Sequence, residues 1–198
     1  MSTKIFIFLV SLVLFTLVGC ANGSVKTVAS EQKSLNVESH GKELIIFYSY
    51  SGQTRRVAEI LQKVTDADVY EIRTINSYPS NPHETAIISI EERATGNLPA
   101  IQKNSPDLSK YAVIYLGGPI WNSNIATPLA SFLAENSLAG KVVKPFWTYQ
   151  SSDESGCFSD LKARVIGAEK IFVGLGISYP GEISDSALEE KIKLWLRE

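Results

Sequence analysis

An unbroken apolar run, Leu44 to Tyr48, gives way within a few residues to apolar positions at helical spacing, Val57, Ile60, Leu61 and Val64. A strand with no polar alternation is one buried on both faces, and a helix directly behind it makes the first half of a β–α unit. Between the two lies Ser49-Tyr-Ser-Gly-Gln-Thr54, with small hydroxyls grouped around Gly52. The first amides of a helix have no acceptor within it, and the helix dipole is positive at that end. Hydroxyls and amides therefore converge on a point suited to an anion, most simply a phosphate. The same residues also suit a plain helix cap, in which Ser or Thr accepts from a helix amide and Gly turns the chain. The Gly-Lys-Ser/Thr ending of a nucleotide P-loop and the three-glycine spacing of a dinucleotide fingerprint are both absent from this stretch.

The rest of the chain repeats the alternation. Asp68 to Arg73 reads as a second strand, one in which Val69 and Ile72 share a face only through a bulge. Pro79 and Pro82 mark a loop, and His83 to about Gly96 favours helix, with Glu91, Glu92 and Arg93 on a polar side. Tyr111 to Leu116 is the strongest strand, expected to be central and to stop at Gly117-Gly118-Pro119, followed by a loop over Ile120–Asn124. A helix through Ile125, Leu129, Phe132 and Leu133 is predicted to end near Gly140. Val142 to Tyr149, Phe158 to Val165, Lys170 to Gly174 and Leu188 to Leu196 read as strand, helix, strand and helix. Five β–α units predict an α/β fold, a doubly wound five-stranded parallel sheet covered by helices, with ligands bound beyond the carboxyl ends of its strands.

Residues 1–19 are different material: Lys4, then an apolar run closing at Gly19-Cys20, the pattern of a secretory signal peptide. Leu17-Val18-Gly19-Cys20 resembles the lipobox of bacterial lipoproteins, which implies lipidation of Cys20 and anchoring in a lipid bilayer of the cell envelope. Residues 20–42 then form a polar flexible tether, and residues 43–198 the folded domain. Across 198 residues, 44% hydrophobic and 20% charged with a net charge of −2, nothing gives the electrostatic footprint of a nucleic-acid partner. Arg55-Arg56 reads as a solvated helix face. Cys157 is the one cysteine besides Cys20 and is expected as a small buried residue.

Three strand ends carry unusual sequence: Ser49–Thr54, Gly117–Asn124 and Thr148–Gly156. The first offers donors to a phosphate, the second sets Trp121 beside a Gly-Gly-Pro turn, and the third brings Tyr149, Gln150, Ser151 and Ser152. Trp121 suits either a stacking platform or a core position. Together the loops suit a flat aromatic ligand with a phosphate tail.

At Tyr48-Ser-Tyr-Ser-Gly-Gln-Thr54, Tyr111-Ala-Val-Ile-Tyr-Leu-Gly-Gly-Pro-Ile-Trp121 and Gly140-Lys-Val-Val-Lys-Pro-Phe-Trp-Thr148 the chain resembles the flavodoxin-like proteins. The resemblance implies a strand order of 2-1-3-4-5 and FMN as cofactor. It implies a phosphate held by Ser49, Tyr50, Ser51, Gly52, Gln53 and Thr54, and a flavin ring flanked by Pro119, Ile120, Trp121 and Asn122 on one side and Thr148, Tyr149 and Gln150 on the other. Where relatives carry an aromatic or glycine after Ile-Trp and a glycine-rich third loop, this chain has Asn122-Ser123 and Tyr149-Gln-Ser-Ser-Asp-Glu154. Asp153 and Glu154, if turned inward, disfavour an anionic reduced flavin.

The resulting expectation is an FMN-binding electron-transfer lipoprotein with no dedicated catalytic side chain, whose partner is a redox protein or a small-molecule electron acceptor. A cofactor-free binding or assembly module on the same fold and an FMN-dependent NAD(P)H:acceptor reductase are the alternatives. A hydrolase using Ser49 or Ser51 ranks last, because no histidine stands at another strand end to activate a serine. His83 is expected only to start a helix, and Tyr78 to close over the ring.

Overall fold

The computed structural model describes residues 41–150, 155–178 and 180–198; the expected signal segment, Cys20 and residues 21–40 of the tether lie outside the described residues. β1 (Lys42–Tyr48) sits between β2 (Asp68–Ile72) and β3 (Tyr111–Trp121), and β5 (Val142–Tyr149) pairs on the far side of β3, all parallel. β6 (Lys170–Ile171) and β7 (Leu175–Ser178) both add to the outer edge of β5, also parallel. A two-residue strand, β4 (Asn124–Ile125), folds back antiparallel onto the end of β3. Counting β6 and β7 as one interrupted strand and setting β4 aside, the order is the expected 2-1-3-4-5.

The unbroken apolar character of β1 has the anticipated cause. Leu44, Ile46 and Tyr48 enter one core while Ile45 and Phe47 enter the other. On the second face α1 (Gln53–Thr65) and α5 (Asp185–Trp195) cover the sheet through Val57, Leu61, Leu188 and Ile192. On the first face α3 (Thr127–Glu135) and α4 (Ser155–Arg164) bring Leu129, Phe132 and Leu161, and the buried Cys157 belongs to the same cluster. Arg56 does not lie on a solvated face: it bonds Asp185, the Ile183 carbonyl at 2.7 Å and the Pro180 carbonyl, fastening α1 to the start of α5.

Several sequence expectations shift. In β2 it is Tyr70 and Ile72, two residues apart, that share the buried face, and Val69 is exposed, so no bulge is needed. β3 does not stop at Leu116 but runs on to Trp121. Gly117 is there for packing rather than chain reversal, since a Cβ on it would stand 2.1 Å from the Phe146 ring. Ile120–Asn124 is not a loop: Asn122 and Ser123, with φ of 50° and 58°, form the two-residue turn of a hairpin between β3 and β4. α3 ends at Glu135, where the Asn136 side chain donates to the Phe132 carbonyl at 2.9 Å; Gly140 belongs to the turn leading into β5.

The fifth strand, expected over Lys170–Gly174, breaks at Phe172 and resumes at Leu175. Gly174 passes so close to Trp147 that a Cβ would meet the indole at 2.2 Å, and the Val173 carbonyl is taken by the Trp195 indole N–H at 3.1 Å instead of a strand partner.

The remaining helix, α2 (Pro82–Thr95), starts at an Asn81 cap on the His83 amide, as expected of His83. It is turned inside out relative to its sequence. Thr85 and Ser89 are buried, Ile87 and Ile90 are more than half exposed, and Glu92 and Arg93 point inward, with Arg93 paired to Asp160 at 3.0 Å.

Candidate functional site

The carboxyl ends of β1, β3 and β5 lie side by side, so the order of strands alone brings the three loops to one edge of the sheet. At the end of β1 the chain turns through Gly52 at φ +90°, a conformation that leaves open space where a Cβ would stand. Gly52 contributes no side-chain cap to α1; Ser49 does so from three residues upstream, its Oγ accepting from the Arg55 amide at 3.2 Å. The amides of Gln53 and Thr54, ahead of Arg55, have no acceptor within the helix. Both readings of the loop therefore hold at once. It caps the helix, and it leaves donors over for an anion.

Thr54 is buried, and its Oγ1 lies 2.8 Å from Oγ1 of Thr148, also buried, at the end of β5. This bond ties the first loop to the third. Ser51 is exposed beside it. The side chain of Gln53 is turned toward Gly181, before α5, and its Oε1 is buried with no hydrogen-bond partner among the described residues.

The second loop is built around Trp121. Tyr48, Tyr50 and Tyr78 meet its indole edge-on, with ring centroids at 5.6, 5.8 and 5.0 Å. Trp121 is thus partly buried in an aromatic cluster at the mouth of the site, a platform and a packing residue together. Tyr50 donates to the Pro79 carbonyl at 2.6 Å, which draws the loop after β2 against the loop after β1. Pro119 is half-buried and Ile120 buried beneath the cluster. Asn122 looks away: its amide donates to Ser89 Oγ at 2.9 Å and to the Ala86 carbonyl at 3.2 Å, binding the hairpin to α2. In the third loop Tyr149 is half-buried and Gln150 exposed; Ser151–Glu154 lie outside the described residues.

Tyr78 is held by a small polar network. Its hydroxyl lies 2.8 Å from both carboxylate oxygens of Glu92 and 3.0 Å from Thr127 Oγ1, and Thr127 Oγ1 is 2.6 Å from Glu92. Burial raises the Tyr78 phenol far above its ordinary value; the Thr127 hydrogen bond works against this and the Glu92 carboxylate adds to it. Tyr48 is raised as well, by burial first and then by Tyr50, Glu92 and Glu71. Both phenols stay protonated at any physiological pH. Sequence reasoning flagged Tyr78 but not Tyr48, Glu92 or Thr127, which meet Tyr78 only through contacts 14 to 49 residues apart.

The donor set at the first loop is hydroxyls and amides, the chemistry that suits a phosphate monoester, and the aromatic cluster beside it suits a flat ring. Among the described residues no group of three or more His, Cys, Asp or Glu is placed to hold a metal ion, and no helix is long and apolar enough to cross a membrane.

A family model described as Flavodoxin matches residues 42–195. No curated protein matches the chain. Among solved structures, a candidate flavoprotein from Bacteroides uniformis is 28% identical with a TM-score of 0.66, over 80% of this chain and 99% of that one. A second candidate flavoprotein, from Bacteroides eggerthii, is 26% identical with a TM-score of 0.64, over 79% of this chain and 96% of that one. A flavoprotein from Lactobacillus acidophilus, solved in complex with FMN, shares the fold at 23% identity and a TM-score of 0.61, over 72% of this chain and 95% of that one.

Proposed function

The chain belongs to the flavodoxin family, and on that premise we propose that it is an FMN-binding electron-transfer protein held at the membrane by a lipid on Cys20. The observation that carries the reading is the bond between Thr54 and Thr148, which locks the hydroxyl loop to the end of β5 beside the Trp121 cluster. Support comes also from the Lactobacillus acidophilus relative, whose structure contains FMN.

Ser49, Ser51 and Thr54, with the amides from Gly52 to Thr54, hold the phosphate, and the dipole of α1 adds to the attraction. Tyr50 and Gln53 shape that loop. Pro119 and Trp121, supported from beneath by Ile120, would flank the ring on one side, with Asn122 bracing their hairpin against α2, and Thr148, Tyr149 and Gln150 would flank it on the other. When bound, FMN supplies the redox chemistry itself. The chain's own residues orient it and exclude water, and Glu92 and Thr127 fix Tyr78 against Trp121 so that this wall is rigid. No acid or base side chain is required for electron transfer.

An exported electron carrier fits a compartment poor in nicotinamide donors better than a nicotinamide-dependent reductase does. Its partner is then a redox protein or a small-molecule acceptor, and the Leu17–Cys20 motif motivates the bilayer anchor. The test is purification of the full chain and titration with FMN. A yellow flavin spectrum with saturable binding supports the reading; lack of both ends it.

A further inference from the structure

A cavity opens at the ends of β1 and β2, between the hydroxyl loop and the loop that follows β2. It has a volume of about 650 Å3, within the range of roughly 300–1,000 Å3 common for small-molecule sites. Its walls are Tyr48–Ser51 and Arg55 on one side and Glu71–Ile75 and Ser77–Ser80 on the other, with Gln102 at the margin. It borders the hydroxyl loop through Ser49, Tyr50 and Ser51, but among the described residues none from β3 or β5 lines it, so its Arg55 and Arg73 end is apart from the Trp121 and Thr148 walls assigned to the flavin ring.

Its frame is fixed. The Arg73 carbonyl accepts from the Gln102 amide at 2.8 Å, and the Ile75 amide donates to the Ala100 carbonyl at 2.9 Å. Pro79 is held by Tyr50 at 2.6 Å and by Thr85 at 3.0 Å. Its charge is set by Arg55, Arg73 and Glu71, two guanidinium groups against one carboxylate. Glu71 takes Arg55 at 2.5 Å and Arg73 at 3.0 Å. Arg55 uses Nε and Nη2 in this contact and Arg73 only Nη2, so further N–H donors of both have no acceptor among the described residues. The hydrogen bond to Glu71 keeps Arg55 charged. The seryl hydroxyls at positions 77 and 80, on the wall opposite the hydroxyl loop, complete a lining of donors around a net positive charge.

We propose that this cleft binds a small acidic molecule, a carboxylate or a phosphate monoester, through Arg55 and Arg73, at the same time as FMN occupies the neighbouring loop. Guanidinium groups already aligned on a carboxylate present the planar fork that a second carboxylate or phosphate engages. The ligand's acidic group lies beside Glu71 and its body extends toward Tyr50 and Tyr78, next to the flavin wall. The assignment of FMN to the adjacent loop rests on the function proposed above; the anion site does not.

Calorimetric titration of the full-length, detergent-solubilised protein with malonate and with inorganic phosphate tests the proposal, carried out with and without saturating FMN. One anion per chain is expected in both cases, with affinity lowered tenfold or more by Arg73→Glu and less by Arg73→Gln, while FMN affinity stays unchanged. Arg73 is an exposed residue, and unaltered circular dichroism separates loss of the site from loss of the fold. The proposal is overturned if neither probe gives saturable binding, if Arg73→Glu leaves binding unchanged, or if FMN abolishes it, since the anion then occupies the flavin phosphate position. Failure to bind FMN at all is read from the flavin spectrum and leaves the anion titration interpretable.

Discussion

Thr54 Oγ1 and Thr148 Oγ1 lie 2.8 Å apart, both buried, joining the first turn of α1 to the carboxyl end of β5 across 94 residues of sequence. Replacing either by valine keeps the volume and strands the partner hydroxyl, which costs about 1–3 kcal/mol. We expect each single variant to lower the unfolding free energy by that amount in urea titration. The double variant should lose less than the sum of the two, because no hydroxyl is left unpaired. Additive losses would show that the two side chains are not coupled.

Trp121 meets three tyrosines, so its loss acts on stability and on the site together. For Trp121→Ala we expect destabilisation of about 3–5 kcal/mol, the range for deleting a large packed aromatic, moderated by partial exposure. Where the protein remains folded, FMN affinity should fall at least tenfold, and Trp121→Phe should recover most of it. Equal FMN affinity in wild type and Trp121→Ala would remove Trp121 from the flavin wall.

At Gly52 the obstacle to substitution is backbone strain rather than space, because φ is +90° and nothing lies within 4 Å of a built Cβ. Gly52→Ala should therefore cost about 1–2 kcal/mol in thermal or urea unfolding. It should also weaken FMN by displacing the amides that follow. A neutral Gly52→Ala would mean the loop relaxes freely.

Tyr48, Tyr78 and Tyr115 all have phenols raised above the ordinary value of 10.0, in each case by burial first. The folded state thus keeps protons that the unfolded chain begins to release near pH 10. Their stabilisation is complete below that pH and declines as pH rises above it, at up to about 1.4 kcal/mol per pH unit for each tyrosine. Tyr78→Phe should reduce the steepness of that alkaline decline by about one proton's worth, measured as unfolding free energy against pH. An unchanged slope would contradict the burial of the Tyr78 hydroxyl.

Much of the architecture was legible because its causes are local. Leu44–Tyr48 is apolar without alternation and forms a strand buried on both faces, and the continuous apolar run Tyr111–Leu116 likewise begins the central strand β3. The shift to helical spacing after Gly52 marks α1, and strand–helix alternation follows to the end. What misled was residues whose role is set by a distant neighbour. Gly117 reads as a strand terminator and Gly174 as the last residue of a strand, but both are small to make room for Phe146 and Trp147. α2 reads as an ordinary amphipathic helix, yet buries Thr85 and Ser89, because Thr85 bonds the Pro79 carbonyl and Ser89 receives Asn122.

By itself, then, the sequence determined the α/β alternation, the strand edge at which the three loops meet and the hydroxyl-rich composition of Ser49–Thr54 on which the proposed anion site rests, since propensity, periodicity and donor type are carried by consecutive residues. Only the tertiary structure decided that Thr54 meets Thr148, that Glu92 and Thr127 hold Tyr78 against Trp121, and that Arg55 and Arg73 share Glu71 at the rim of a second cleft. Most of those contacts join residues far apart in the chain, so their geometry depends on how the sheet, its twist and the packed helices close around them, which no local pattern encodes.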